Sequence, residues 1–96
     1  MSPIKKKKLD KLRKELDNID NSLIKIIKKR TDVVKRVLRL KEFKNQIVDK
    51  KRIKVILSKI KKLSIKNKVN PKVTNRIWKN MIWSYIDFEK RNFKKK

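Results

Sequence analysis

No glycine occurs anywhere in the 96 residues, and proline occurs only at positions 3 and 71. The residues that most readily interrupt a helix are missing from almost the whole chain, which predicts helix nearly throughout. Apolar residues at helical spacing mark a first helix over about residues 5 to 41. Asn45 to Val48 form a joint, and Asp49 is placed to cap or begin a second helix carrying Ile53, Ile56, Leu57, Ile60 and Leu63. That helix is expected to fray into Asn67 to Asn70. Asn70 before Pro71 is an N-cap and first-turn pair, and it opens a third helix with Ile77, Trp78, Met81, Ile82, Tyr85 and Phe88 at helical spacing. A single all-α domain over residues 1–96 is expected, with frayed basic ends at 1–7 and 92–96.

The first helix would extend about 55 Å if unbroken. The remainder of so short a chain cannot cover a rod of that length, and 96 residues are marginal for a self-sufficient core. A second, antiparallel copy would cover it, so a homodimer is the expected assembly.

At roughly 100° per residue, Leu9, Leu12, Leu16, Ile19, Leu23, Ile27, Val34 and Val37 fall on one side of that helix. Arg30 and Lys41 project from the middle of the same side, and Arg13 lies on its edge. Most other cations, Lys25, Lys28, Lys35 and Arg39 among them, face away. A charge held on an inward face is costly unless paired, and few acids lie nearby, so the pattern points to an enclosed anion. Pairing across a dimer seam, or snorkelling of the long side chains, would also accommodate these cations.

There is no cysteine and no histidine, which leaves lysine, arginine, carboxylates and hydroxyls for any chemistry and makes a zinc site or a cysteine nucleophile unexpected. The formal charge is +24, from 33 basic against 9 acidic residues, and it would attract polyanions of any kind. Nucleic-acid binding through lysine-rich outer faces is therefore one functional reading; a general lysine richness of the proteome, or a high-salt habitat, is the plainer one. The basic start has no apolar core of a leader behind it, and no stretch approaches the ~18 apolar residues that a membrane helix needs, so a soluble cytoplasmic protein is expected.

Three stretches carry a resemblance: L-R-K-E-L-D-N-I-D at residues 12 to 20, Arg30 with Lys41 eleven positions further on, and V-D-K-K-R at 48 to 52. In order and spacing they resemble the all-helical chorismate mutase family, over about Leu9 to Glu89. The resemblance implies an intertwined homodimer of three-helix subunits with two equivalent sites, in which the first helix crosses between subunits. Arg13 would reach into the site of the second copy, and Arg30, Lys41 and Arg52 would come from the same subunit as the rest. The implied reaction is the pericyclic rearrangement of chorismate to prephenate, which needs no cofactor and no covalent step. Arg13 and Arg30 would grip the two carboxylates, because a planar guanidinium matches a carboxylate with paired hydrogen bonds. Lys41 would donate to the ether oxygen as it gains charge. Arg52 would supplement the carboxylate grip or orient Asp49, and Asp49 either receives the substrate hydroxyl or only caps the second helix.

The sequence departs from the family pattern at four places. Ile53 stands where a glutamate or similar polar group would receive the ring hydroxyl; leaving that hydroxyl unpaired costs about 1 to 3 kcal/mol, or a 10- to 100-fold weaker enzyme. Glu89 stands where a glutamine commonly faces the lysine. An ionised Glu89 can only accept a hydrogen bond, which predicts activity that improves toward acid pH. Tyr85 replaces a small polar residue and narrows the cavity, and the joint from Lys41 to Asp49 is about one residue short. A degenerate mutase fold binding another small carboxylate is the reading these departures would favour.

Overall fold

The computed structural model describes residues 1–95. It contains three α-helices, α1 (Pro3–Leu40), α2 (Lys50–Lys66) and α3 (Pro71–Asn92), with a short 3-10 turn over Lys44–Gln46 between the first two. The all-helical, three-helix reading of the glycine-free chain is thus the observed architecture. By contact pattern the chain divides into two compact bodies, Met1–Val34 and the remainder from Lys35 onward.

The first body is the leading part of α1. Its helix begins at Pro3, earlier than the periodicity predicts, because Ser2 supplies an N-cap: its Oγ accepts from the Lys5 N–H at 3.2 Å and its carbonyl from the Lys6 N–H at 2.9 Å. Proline at the first helical position loses nothing by lacking a donor there. The signal was present in the sequence as Ser2-Pro3, but the lysine run that follows obscured it. The apolar stripe is exposed along this body, with Leu12, Leu16, Ile19 and Leu23 each about half accessible or more. Lys28 and Asp32 form an exposed ion pair at 3.2 Å, of a kind that contributes little.

The second body holds the core. Leu38, Ile47, Ile82 and Ile86 are buried together, and Val48, Ile53, Ile56, Leu57 and Phe93 pack against them. Near the end of α1 the buried residue is Leu38, and Val37, which the periodicity places inward, is exposed. The cause is local: Leu38 meets Ile47 from the joint and two isoleucines of α3, none of which the periodicity of α1 could register. α2 packs against α3. Two positions expected on their inward faces are exposed, Leu63 and Ile77, whereas Ser64 is buried. Its hydroxyl donates to the Ile60 carbonyl at 2.6 Å and lies 2.6 Å from the Thr74 hydroxyl, so a polar pair ties the end of α2 to the start of α3.

The joints follow from capping. Gln46 Oε1 accepts from the Glu42 and Phe43 N–H groups at 2.8 and 2.9 Å, closing the turn after α1. Asp49 caps α2 by accepting from the Arg52 N–H at 3.0 Å, and Asn70 caps α3 by accepting from the Lys72 N–H at 2.9 Å, both as their sequence positions predict. α2 does not fray. The Val69 N–H donates to the Ser64 carbonyl and the Lys68 N–H to the Ile65 carbonyl, the double bond of a Schellman cap. That cap places Lys68 in the left-handed region at φ 58°. Glycine ordinarily fills that position, and a chain without glycine must put a side chain there. At the other end, α3 runs to Asn92 and Phe93 is half-buried against the core; of the expected basic tail, Lys96 lies outside the described residues.

Candidate active site

Lys41 is the first residue after α1, its N–H donating to the Leu38 carbonyl at 3.1 Å. The closing bond fixes the backbone from which the side chain departs, and the Gln46 clamp on the next two N–H groups holds the chain that follows. From there the Lys41 ammonium reaches Glu89, in the last turns of α3, with Nζ to Oε1 at 3.1 Å. The Lys41 side chain is 20% exposed and that of Glu89 only 8%. A carboxylate that deep requires a charged or donating partner, and Lys41 supplies both. The ammonium has two further N–H donors for an incoming group.

Beside this pair is an open hollow lined by Lys41, Asn45, Gln46, Val48, Asp49 and two lysines at the start of α2. Lys41 and Asp49 therefore border one surface, with several cations and Asp49 as its one carboxylate. Asp49 is exposed and one of its oxygens is committed to the helix cap. Arg52 orients it through the backbone N–H, while its guanidinium is exposed to solvent. Ile53 is half-buried against the core cluster, an environment that an ionised glutamate would not tolerate without a partner. Tyr85 is half-buried on α3, one turn before Glu89. In the first body, Arg30 is half-buried and Arg13 exposed.

The structure thus brings Lys41 together with Glu89, and Lys41 together with Asp49. The sequence marks Asn45, Gln46 and Val48 only as a joint, not as residues bordering this hollow; the spacing of Gln46 from Glu42 and Phe43 was the available signal. This small all-helical protein thus holds one buried ion pair among its described residues, between the end of α1 and the last turns of α3, next to a cation-rich hollow. The chain belongs to the chorismate mutase type II family, whose family model matches residues 12–90. No curated protein and no solved structure matches it. Among the described residues, no helix is long and apolar enough to cross a membrane.

Proposed function

We propose that the protein is a chorismate mutase, converting chorismate to prephenate as a homodimer. The observation that carries this reading is the Lys41–Glu89 pair, buried inside a chain of this family. In the rearrangement one C–O bond of the enol ether breaks as one C–C bond forms, with no net transfer of a proton or an electron to the protein. Catalysis then requires only that the substrate be held folded and that charge developing on the ether oxygen be stabilised. Lys41 donates to that oxygen. Glu89 assists when protonated, because its hydroxyl then becomes a donor, and opposes when ionised, because it competes for the ammonium and can only accept.

Arg13 and Arg30 take the two substrate carboxylates, Arg13 from the second copy. The exposed stripe of Leu12, Leu16, Ile19 and Leu23 supports such a copy: each side chain removed from water contributes about 1.5 to 3 kcal/mol. Arg52 and Asp49 serve the open end of the site, where Asp49 has one oxygen left for the substrate hydroxyl. Ile53 contributes an apolar wall and no hydrogen bond, which makes the enzyme slower than one with a polar group there. Tyr85 narrows the cavity from α3.

The deciding experiment follows chorismate loss and prephenate formation by purified protein from pH 5 to 8, with Lys41→Ala as the control for contaminating host enzyme. Turnover that is abolished by Lys41→Ala is the expected result. Absence of prephenate at saturating chorismate across the range, with the oligomer intact, would refute the reading and leave a degenerate carboxylate binder.

A further inference from the structure

The acids of this chain are distributed unevenly. Five of the nine lie in the first 34 residues, at Asp10, Glu15, Asp17, Asp20 and Asp32. Between Asp49 and Asp87 there is none, whereas the same segment carries ten lysines and two arginines. All twelve of these cations are exposed, and among the described residues none has a carboxylate within ion-pair distance; the ion pairs Lys28–Asp32, Lys41–Glu89 and Arg91–Asp87 all lie outside the segment. The α2–α3 hairpin is therefore a field of one sign, separate from the buried lysine–glutamate pair. Single-sign fields of this density raise the local concentration of polyanions.

The cations also have an arrangement. On α2, Lys51, Lys59, Lys62 and Lys66 lie opposite the face formed by Ile53, Ile56, Ile60 and Ser64, in a line about 22 Å long. Lys54, Lys59 and Lys62 border a shallow hollow floored by Val55 and Ser58, where a phosphate would meet three ammonium groups and a hydroxyl. On α3, Lys72, Arg76, Lys79 and Trp83 succeed one another at intervals of four, three and four residues along one flank. Trp83 is 54% exposed, an unusual position for an indole, and it stands at the end of the basic row. A row of cations needs only phosphates. An exposed indole continuing the row adds a flat apolar surface that stacks on an unpaired base, whereas a duplex keeps its bases within its own stack.

We infer that the α2–α3 hairpin is a binding surface for single-stranded nucleic acid, with the lysines of α2 and α3 following the backbone and Trp83 stacking on a base. Lys50, Lys51 and Arg52, at the start of α2, border or belong to the proposed mutase site; the other cations of this surface and Trp83 are not among its residues, and the inference stands whether or not turnover is found.

The test is fluorescence anisotropy of a labelled 20-nucleotide single strand with the full chain at several salt concentrations. With four to six phosphates neutralised, log K should fall against log salt with a slope of about −3 to −4. The triple variant Lys59→Gln/Lys62→Gln/Lys66→Gln should make that slope shallower by about 2, whereas removing the same charge from α1 by Lys5→Gln/Lys7→Gln/Lys8→Gln should leave it nearly unchanged. Trp83→Leu should weaken the single strand at least fivefold and leave heparin binding unaltered, and a duplex of the same length should bind more weakly than the strand. Lys41→Ala should change none of these. Equal loss of slope from the two triple variants, or a Trp83→Leu protein that binds the strand as the parent does, would overturn the inference and reduce the surface to a general polyanion attractor. Preference for anionic phospholipid vesicles over the strand would overturn it in favour of a membrane surface. Far-UV circular dichroism of each variant separates these outcomes from misfolding.

Discussion

Replacing Glu89 by glutamine exchanges one carboxylate oxygen for an NH2 group at the centre of the proposed site, and its consequences can be worked out from the geometry. At 3.1 Å the Lys41–Glu89 attraction is about 5 kcal/mol for an effective dielectric near 20, most of which is offset by the desolvation of two groups held this deep. Glutamine keeps an oxygen where Oε1 lies, so Lys41 retains a hydrogen bond and the net loss of stability should be about 1 to 2 kcal/mol. For turnover the change acts in the opposite direction. The carboxylate no longer competes for the ammonium, and the amide N–H supplies a donor that an ionised Glu89 lacks. One added donor to a developing oxyanion, in a site this shielded, should raise kcat at pH 8 about tenfold, a conservative share of the effect such donors have elsewhere. The assay is prephenate formation at saturating chorismate from pH 5 to 8 for parent and E89Q, with thermal melts of both. The variant should turn over faster than the parent and melt at a lower temperature. An E89Q enzyme no faster than the parent would refute the reasoning, since the carboxylate would then not be competing with the substrate for the Lys41 ammonium.

Three further outcomes follow from individual contacts. Lys68→Gly should stabilise the chain by about 1 kcal/mol, because φ 58° costs a side chain what it does not cost glycine, and a denaturant midpoint that falls would show that the Lys68 side chain earns its strain. Leu16→Asp puts a charge in the exposed stripe of α1 and should leave sedimentation velocity reporting monomer alone; a persisting dimer would place the seam on another face. Gln46→Met keeps the size of the side chain but removes the acceptor that clamps the Glu42 and Phe43 N–H groups. It should lower kcat severalfold with the melting temperature down only a few degrees, whereas Gln46→Glu, which keeps an acceptor, should restore most of the rate. Equal rates for the two variants would mean that the clamp does not position Lys41.

What the sequence determined by itself is whatever depends on neighbours along the chain. The absence of glycine and the two prolines were enough for three helices. Asp49 and Asn70 marked two helix starts because an N-cap bond spans only two or three residues, and Asp49 to Arg52 and Asn70 to Lys72 are such spans. The stripe of Leu12, Leu16, Ile19 and Leu23 was legible for the same reason, and so was its lack of any cover within a chain this small. The tertiary structure decided what joins residues far apart. Lys41 and Glu89 are separated by 48 positions, and only a family resemblance, not spacing or composition, suggested that they face each other. Periodicity chose Val37 over Leu38 and Leu63 over Ser64, and in both cases the contact that reversed the choice came from another element: Ile47, Ile82 and Ile86 around Leu38, Thr74 against Ser64. Helical periodicity records which face is apolar on average; which residue of that face is buried is set by the side chains brought against it, and those are known only once the chain has folded.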